Sequence, residues 1–560
     1  MKIKTTEASQ AYRFLEQVIL RTGKTFKVLI TGAGTATALC AFKGLKAMAD
    51  PSIRVLMGDM QPNCAGAYLG DEFVCMPSAD DPEFRKRVTE ICRCRDVGLV
   101  IPTIDYEFPA WSEIADQLLA NGTRVAISSP SAIEQCRQKD LTIAYFRRME
   151  LPCPETWRAG QIADPSRLPY PVFLKPRCGR ASLNTHRVEN LEEYLYYASK
   201  TQDCLVQPCL MGREVTIDTL STFDGRFLAA CPRERVEVKS GQAYRSVTLD
   251  APELTAYARR IVEGLPLIGP ANIQCFLTDR GPQFFEINTR FGAGTALSIH
   301  AGLNGPAALV AMARGEALPT LQPRPNVWML RYWQEAFVER TACPIFFDLD
   351  GPILDVSYRH YQVYCDIAKE TGLSPASFEI YWNDKRARKP HLPNAIHGSG
   401  EGSVDADFNR KWLERIETEP YLGLDRVWPW VIDVLSNLYR DHPLYLVTVR
   451  SRPDLLTKQL ERLNLARWFQ AVLCCPAREN ASRAKIEGMR RHFSHVPREA
   501  VIVGDTEADI DCGKELGFHT VGVLSGIRNR DHLESSRCDS LLEDIRALPQ
   551  HLATLCGGPS

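Results

Sequence analysis

Short apolar runs alternate with longer amphipathic segments over residues 26–125. The runs KVLITGAG, DVGLVIPTID and TRVAISS predict buried strands, and the segments ATALCAFKGLKAM and FPAWSEIADQLLANG predict helices between them. Continuous apolar strands that alternate with amphipathic helices are typical of a parallel sheet covered by helices. We therefore expect an α/β domain over residues 26–125, preceded by a polar leader over residues 1–25.

The pattern changes from about Ser166 onward to short strands separated by turn residues. The segments PVFLKPR, CLVQPCL, EVTIDTLS and PQFFEINTR predict an antiparallel α+β domain within residues 126–333. The proline-rich stretch LPTLQPRPNVWML comes before a predicted linker at residues 334–342. The alternation then returns in IFFDLD, PLYLVTVRS, AVIVGDT and HTVGVL, which predicts a second parallel α/β domain over residues 343–560. The sequence thus predicts an α/β multidomain protein.

Composition and charge exclude several classes of function. The chain has 560 residues with Lys+Arg 67 against Asp+Glu 68, and this net charge of −1 gives no overall field for nucleic acid or a membrane surface. Its 19 cysteines include no C-x-x-C pair, so we expect free thiols in a reducing compartment. No apolar run has the length of a signal-peptide core or a membrane span. We expect a soluble cytoplasmic protein without nucleic-acid or membrane partners, and a homodimer is compatible with the sequence.

The stretch FFDLDGPILD places Asp348 and Asp350 one residue apart at the end of an apolar run. Two carboxylates that close raise each other's pKa, and burial raises it further. A lone D-x-D of this kind is explained equally well by a helix cap or an Asx turn. In a phosphate-transferring site, Asp348 would attack phosphorus, and Asp350 would protonate the leaving oxygen and then activate water.

Three further features favour the phosphate-transferring site. Thr448 lies near the end of the run LYLVTV, where its hydroxyl would hold a phosphoryl oxygen, and Lys485 in NASRAKIEG would neutralise the charge around the nucleophile and the phosphate. The segment VIVGDTEADI places Asp505 and Asp509 after another strand, and their oxygens suit Mg²⁺. Because ligands of parallel sheets bind at the carboxyl ends of the strands, these side chains can converge with the D-x-D pair.

Residues 343–546 resemble the haloacid dehalogenase superfamily, and specifically its phosphatases, through the elements D-x-D-G-x-x-x-D and G-D-x-x-x-D. The resemblance implies a Rossmann-like domain that forms an aspartyl-phosphate on Asp348, with Asp348, Asp505 and Asp509 as magnesium ligands. It also implies a helical cap over about residues 356–430 that selects the substrate. Pro352 departs from the pattern, because Thr or Val is more common there and proline removes a backbone N–H.

A second set of residues with candidate chemistry lies upstream. The segment PVFLKPRCGRASLN presents Lys175 at a strand end, followed by a loop that contains Ser182, and such groups suit triphosphate oxygens. A hairpin with a surface lysine would explain this segment alone. Glu286 and Asn288 in PQFFEINTR share one strand face because they are two residues apart. The turn TGAGTATA near the start is weak evidence for a dinucleotide site, since a plain tight turn also explains it.

Residues 26–330 resemble the ATP-grasp superfamily, in particular the carbamoyl-phosphate-synthetase-like branch of carboxylate–amine ligases. The segments VIPTIDYE, KDLTIAYFRRMELPCPET, FLKPRCGRAS, GREVTIDT and FFEINTRFGAG carry this resemblance in order. It implies a pre-ATP-grasp α/β domain at 26–125 and an ATP-grasp α+β domain at 126–333. The implied site comprises ATP ligands Lys139, Lys175, Ser182, Gln207 and Glu214, magnesium ligands Gln274, Glu286 and Asn288, and Arg290 at the acyl-phosphate.

The two resemblances together imply a bifunctional enzyme that uses ATP and Mg²⁺, with Mn²⁺ as an alternative metal. The first activity would join a small-molecule carboxylate to an amine, such as an amino acid, through an acyl-phosphate. The second would remove phosphate from a small phosphorylated metabolite. Two alternatives stay open: the acyl-phosphate serves chemistry other than amide formation, or one half is a regulatory nucleotide- or ligand-binding module.

Overall fold

The computed structural model describes residues 25–179, 184–201, 203–239, 241–338, 343–372, 374–389, 401–476, 480–497 and 499–555, with the backbone alone described at 401–406 and 553–554. The chain divides into two compact units, Met1–Ala336 and Phe337–Ser560. Both units contain a parallel sheet with helices, so the predicted α/β multidomain architecture is confirmed.

The first unit begins with a five-stranded parallel sheet in the order β3-β2-β1-β4-β5. Val28 and Ile30 pack in one apolar cluster and Leu29 in another, so β1 is buried on both faces, as its continuous apolar run predicts. The strands are β1 (Phe26–Thr31), β2 (Ile53–Asp59), β3 (Glu72–Cys75), β4 (Val97–Ile101) and β5 (Arg124–Val125). The accompanying helices are α1 (Ala36–Lys46), α2 (Ala65–Leu69), α3 (Phe84–Cys94), α4 (Phe108–Ala120), α5 (Pro130–Arg137) and α6 (Lys139–Arg148).

The segment TGAGTATA forms a tight turn from β1 into α1. Gly32 has a φ of +69°, and a side chain there would collide with Thr103 and Ile104. Thr35 caps α1, because its hydroxyl accepts a hydrogen bond from the Ala38 amide at 3.1 Å. Both features account for the residue types in this turn without a bound dinucleotide.

Two antiparallel sheets complete the first unit. The four-stranded sheet has the order β6-β9-β7-β8, and the six-stranded sheet has the order β14-β13-β10-β11-β12-β15. The strands of the smaller sheet are β6 (Trp157–Arg158), β7 (Val172–Pro176), β8 (His186–Val188) and β9 (Cys204–Pro208), with helix α7 (Leu191–Lys200). The larger sheet comprises β10 (Arg213–Ser221), β11 (Phe227–Lys239), β12 (Gln242–Thr248), β13 (Pro270–Thr278), β14 (Gly281–Asn288) and β15 (Trp328–Leu330). The helices that follow in the chain are α8 (Pro252–Gly264), α9 (Thr295–Ala301) and α10 (Gly305–Arg314).

The second unit is built on a six-stranded parallel sheet in the order β20-β19-β16-β21-β22-β23. Its central strand is buried by aromatic packing, since Phe346 stacks on Phe518 at a centroid distance of 5.2 Å. In chain order the strands of this unit are β16 (Ile345–Phe347), β17 (Leu354–Asp355), β18 (Arg426–Val427), β19 (Leu444–Val449), β20 (Ala471–Cys475), β21 (Val501–Gly504), β22 (His519–Val523) and β23 (Ser540–Leu542).

A group of helices is inserted into the second unit between β17 and β18, which pair as a two-stranded antiparallel ribbon. This cap has its own apolar core, in which Tyr364 stacks on Tyr381 at 4.5 Å. Its helices are α11 (Ser357–Glu370), α12 (Phe378–Arg386), α13 (Glu401–Arg415) and α14 (Glu419–Leu422). The sheet of the same unit carries α15 (Val431–Asp441), α16 (Pro453–Arg462), α17 (Ala481–His492), α18 (Glu507–Leu516), α19 (Arg530–Ser535) and α20 (Leu548–Leu555).

Within the described residues, every cysteine is a free thiol. No single helix in this part of the chain combines the length and hydropathy needed to cross a bilayer. The helices Thr295–Ala301 and Gly305–Arg314 reach that threshold only when taken together, and they are bent by 73° relative to each other.

Candidate active sites

The first unit contains a cavity of about 740 Å³ that is lined by both antiparallel sheets and by loops of the parallel sheet. The side chains assigned above to ATP, Mg²⁺ or the acyl-phosphate come together here, although they are spread over some 150 residues. Ser182 lies outside the described residues. The assigned residues that line the cavity are Lys139, Lys175, Gln207, Glu214, Gln274, Glu286, Asn288 and Arg290.

Two lysines provide the positive charge at one wall of the cavity. Lys175 lies on β7 and is only 5% exposed. Burial lowers its pKa to about 8, Glu286 opposes this effect, and Lys139 adds to it. Lys139 begins α6, and its Nζ donates to the Gly179 carbonyl at 2.9 Å. A buried ammonium of this kind is stabilised by an anionic ligand such as a phosphate.

The predicted metal ligands lie on two neighbouring strands. Gln274 of β13 stands opposite Glu286 of β14, and Asn272 stands opposite Asn288. Asn288 Nδ2 donates to Glu286 Oε1 at 3.0 Å and to Asn272 Oδ1 at 3.1 Å, which holds the amide beside the carboxylate. Carboxylate and amide oxygens are the donors that Mg²⁺ takes, so this set fits a magnesium–nucleotide complex.

Glu214 and Gln207 are engaged by neighbours that the sequence analysis missed. Arg235 Nη1 lies 2.9 Å from Glu214 Oε1 and donates to Gln274 Oε1 at 3.4 Å. Burial raises the pKa of Glu214, and Arg235 opposes the rise. Gln207 donates from Nε2 to the Thr156 hydroxyl at 2.8 Å. Arg235 thus orients one acid of the cavity and touches a predicted metal ligand.

Arg290 is held by an aspartate from a distant part of the chain. Its Nε donates to Asp105 Oδ1 at 2.8 Å, and its Nη2 donates to Asp105 Oδ2 at 3.0 Å. A third hydrogen bond runs from Nη1 to the Phe291 carbonyl at 3.1 Å. Asp105 lies in VIPTIDYE, and no local pattern in that segment points to a partner 185 residues away.

The second unit gathers three of its predicted aspartates at the carboxyl ends of its strands. Asp348, Asp505 and Asp509 each offer one oxygen, and these oxygens lie within 4.8 Å of one another. Burial raises the pKa of Asp348 to about 6; Lys485 opposes this effect, whereas Asp509 and Asp350 strengthen it. Burial also raises the pKa of Asp505, whose Oδ1 has no hydrogen-bond partner among the described residues. This donor set fits a divalent cation.

Lys485 joins two members of the aspartate cluster. Its Nζ lies 2.8 Å from Asp348 Oδ1 and also contacts Asp509 Oδ1. Although burial opposes the effect, the two carboxylates raise the pKa of Lys485. Lys485 lies on helix α17 and not at the end of a strand. Asp509 has a structural role as well, because its Oδ2 accepts from the Thr506 amide at 3.1 Å in the capping box of α18.

Glycines make room for the buried aspartates. A side-chain carbon on Gly351, which has a φ of +97°, would collide with the Asp505 carboxylate. A carbon on Gly504 would collide with Asp509, and one on Gly526 would collide with Asp505. This crowding explains why both the D-x-D-G and the G-D elements contain glycine. Thr448 is buried near the end of β19. This strand pairs with β16, the strand that Asp348 directly follows in the chain.

Asp350 lies between two arginines that the sequence analysis missed. Arg359 Nη2 and Arg450 Nη2 each lie 2.5 Å from an oxygen of Asp350. Although burial opposes the effect, these guanidinium groups lower the pKa of Asp350. Arg359 is fully buried and also pairs with Asp425 at 3.1 Å. In this conformation Asp350 is therefore a carboxylate with both oxygens in ion pairs.

Three segments of the chain match known family models. Residues 200–335 match ATP-grasp in the biosynthetic pathway with Ter operon. Residues 28–126 match the PylC-like N-terminal domain, and residues 345–523 match the haloacid dehalogenase-like hydrolases. The order of the matches agrees with the order of the predicted domains.

Several solved structures match parts of the chain at low sequence identity. The biotin carboxylase domain of 2-oxoglutarate carboxylase from Hydrogenobacter thermophilus shares 16% identity over 54% of this chain and 73% of that chain, with a TM-score of 0.45. An L-amino acid ligase from Bacillus licheniformis shares 16% identity over 54% and 78%, with a TM-score of 0.43. A haloacid dehalogenase-like hydrolase from Streptococcus pneumoniae shares 18% identity over 38% and 98%, with a TM-score of 0.32. Likenesses this distant assign no activity.

The family matches agree with both resemblances drawn from the sequence motifs. The chain joins a PylC-like N-terminal domain and an ATP-grasp region to a haloacid dehalogenase-like domain, so it combines domains of the ATP-grasp ligase and haloacid dehalogenase-like hydrolase families, both of them enzyme classes.

Proposed function

We propose that the first unit is an ATP-dependent carboxylate–amine ligase and that the second unit is a phosphatase for a small phosphorylated metabolite. The gathering of the assigned lysines, carboxamides, acids and Arg290 around one cavity carries the first assignment. The contacts among Asp348, Lys485, Asp505 and Asp509 support the second.

In the ligase, an oxygen of the substrate carboxylate attacks the γ-phosphorus of ATP, and ADP leaves. The amine then attacks the acyl carbon, phosphate leaves, and the amine loses a proton. Lys139 and Lys175 neutralise the phosphates, Glu214 and Gln207 bind the nucleoside, and Arg290 neutralises the acyl-phosphate. Gln274, Glu286 and Asn288 would hold Mg²⁺, with Mn²⁺ as an alternative, and the metal supplies charge neutralisation at the phosphates.

In the phosphatase, one of the two ion pairs of Asp350 opens and its carboxylate takes up a proton from water. Asp348 then attacks the phosphorus of a phosphomonoester, and the alkoxide leaves with that proton from Asp350. Water activated by Asp350 then cleaves the aspartyl-phosphate and restores the Asp348 carboxylate. Thr448 and Lys485 hold the phosphoryl oxygens. Asp348, Asp505 and Asp509 would hold Mg²⁺, which supplies charge neutralisation at the transferring phosphoryl group.

The first unit therefore takes a small carboxylate and an amine, and the second takes a small phosphate ester. Because the two units belong to one chain, we propose that the phosphatase removes phosphate from a phosphorylated substrate or product of the ligase. The cytoplasmic location and the homodimer stay predictions.

A screen of ADP release over pairs of carboxylates and amines, with mass detection of the product, tests the ligase. We expect Mg²⁺-dependent ADP release and an amide for at least one pair. An acyl-phosphate that hydroxylamine traps, without any amide, would favour the non-amide alternative. Nucleotide affinity without ADP release for any pair would favour a regulatory module and contradict the ligase.

A further inference from the structure

Lys385 is a cationic side chain of the cap without a carboxylate beside it in the described part of the chain. Lys385 is the penultimate residue of α12, and its Nζ lies 4.4 Å from the centre of the Trp412 ring. Among the residues that the structure describes, no carboxylate lies within 4.0 Å of this ammonium, whereas Lys389 of the same segment pairs with Asp384 at 3.3 Å. The aromatic face attracts the cation but carries no formal negative charge to neutralise it.

The surroundings of Lys385 are positive. Arg359 and Arg528 are the charged groups that act on it, and together with burial they lower its pKa to about 7, burial being the largest cause. Both arginines already have acidic partners, since Arg359 pairs with Asp350 and Asp425, and Arg528 pairs with Glu507 at 2.9 Å. Lys385 is thus the cation of this group that an incoming anion would neutralise.

The end of α12 also lies against the phosphate site. Arg386 Nη2 donates to the Leu524 carbonyl at 2.7 Å and to the Arg528 carbonyl at 3.3 Å. The loop between these carbonyls contacts the aspartate cluster, because the Ile527 amide donates to Asp505 Oδ2 at 2.5 Å. Arg359, whose charge acts on Lys385, also holds Asp350 of the D-x-D pair. Lys385 is therefore the neighbour of a residue that fastens the end of α12 to a loop of the phosphate site.

We propose that Lys385 binds a second anionic group of the phosphatase substrate, so that the substrate is a phosphate ester whose leaving group carries a carboxylate or another phosphate. This inference rests on the proposed phosphatase function. Lys485 and the metal ligands account for the charge of the scissile phosphate, and Lys385 lies outside that set. The Trp412 face holds the ammonium 4.4 Å from the ring centre.

A series of matched esters tests the proposal on the full chain with Mg²⁺. The probes are ethyl phosphate, which has no second charge, 2-phosphoglycolate and 3-phosphooxypropanoate, which have a carboxylate, and propane-1,3-diyl bisphosphate, which has a second phosphate. We expect kcat/KM to be at least about tenfold higher for one of the doubly anionic esters than for ethyl phosphate. The ester with the highest kcat/KM shows whether the second anionic group is a carboxylate or a phosphate.

Three variants assign the preference to Lys385. In Lys385→Met, the ratio of kcat/KM for the doubly anionic ester to kcat/KM for ethyl phosphate should fall close to one. Lys385→Arg should keep most of the wild-type ratio, and Lys389→Met should leave the ratio unchanged. A preference that survives in Lys385→Met, or no preference in the wild type across the series, would overturn the proposal.

Thermal-shift titrations with the same esters separate this proposal from the proposed function. If no ester is hydrolysed, the phosphatase assignment fails, and affinity alone then decides the role of Lys385. Tighter binding of a doubly anionic ester by the wild type than by Lys385→Met would support the anion site. Equal binding by the two proteins would overturn it.

Discussion

Asp105 and Arg290 form a two-point ion pair between different sheets of the first unit, with hydrogen bonds of 2.8 and 3.0 Å. Asp105 follows β4 of the parallel sheet, whereas Arg290 follows β14 of the six-stranded antiparallel sheet. Because a guanidinium bound through two N–H groups has a fixed plane, Asp105 sets the direction in which Arg290 faces the cavity.

Replacing Asp105 by asparagine should impair the ligase without unfolding the protein. The amide keeps one acceptor oxygen and loses the charge, so Arg290 is less firmly oriented. We expect kcat for ADP formation to fall by about tenfold, which corresponds to roughly 1.4 kcal/mol of transition-state stabilisation, while KM for ATP changes little. Asp50→Asn is the matched control, since Asp50 pairs with Arg314 at 2.9 Å and neither residue lines the cavity. Equal kcat values for Asp105→Asn and the wild type would show that the pair is only structural.

When no ATP is bound, the buried ammonium group of Lys175 should lower the free energy of unfolding of the protein. Its pKa is lowered from an ordinary value of 10.5 to about 8, so between these pH values the folded state binds fewer protons than the unfolded state. The free energy of unfolding of the wild type should therefore rise with pH across this window. Below pH 8 the unfavourable effect of burying the ammonium is fully present.

Lys175→Met should consequently abolish ADP formation yet increase the free energy of unfolding at pH 7. We expect a gain of roughly 1–3 kcal/mol, because each unit of pKa shift corresponds to about 1.4 kcal/mol. The gain should shrink toward pH 9.5, and Lys43→Met on the exposed side of α1 should show neither effect. Urea unfolding at the two pH values measures this, and a destabilised Lys175→Met would contradict it.

Asp350→Asn should separate the two steps of phosphoryl transfer. Asp348 can still attack phosphorus, but water lacks its base, so a phosphorylated protein should accumulate and be visible by intact mass after acid quench. The variant should also be less stable, by about 3 kcal/mol, because it leaves Arg359 and Arg450 without a full counter-charge in a buried site. Asp454→Asn, in a surface pair with Arg452, is the control for stability. Steady hydrolysis at the wild-type rate would exclude Asp350 as the base.

Beryllium fluoride with Mg²⁺ should bind at Asp348 as a mimic of the aspartyl-phosphate. The complex would place a negatively charged group beside Lys485, whose Nζ already lies 2.8 Å from Asp348 Oδ1, so the melting temperature should rise. The rise should require Mg²⁺ and fluoride together, and Asp348→Asn should abolish it. A rise of equal size in Asp348→Asn would place the anion elsewhere.

The sequence predicts the strands and the placement of the aspartates well, because both depend on local patterns. Asp348 and Asp505 directly follow apolar runs, and the edge of a parallel sheet brings such positions together. Arg359, Arg450 and Asp425 could not be predicted in the same way. Their roles depend on ion pairs between residues that are distant in sequence. Arg450 and Asp350 are 100 residues apart, and the periodicity of the sequence does not predict such a contact.

The same limit applies to the first unit. Glu286 and Asn288 are predicted on one face because strand side chains alternate, and the structure places both on the cavity. Asp105 and Arg235 are charged residues of types common on protein surfaces, and no local pattern in their segments points to a partner. Only the fold shows that each orients a predicted site residue.

Two activities measured on one set of proteins test the central claim, that the chain carries two independent active sites. ADP formation and phosphomonoester hydrolysis are measured with Mg²⁺ for the wild type, Glu286→Ala and Asp348→Asn. Glu286→Ala should lose at least about tenfold in ADP formation and keep hydrolysis, and Asp348→Asn should lose hydrolysis and keep ADP formation. Wild-type rates of ADP formation in Glu286→Ala, or of hydrolysis in Asp348→Asn, would contradict the account.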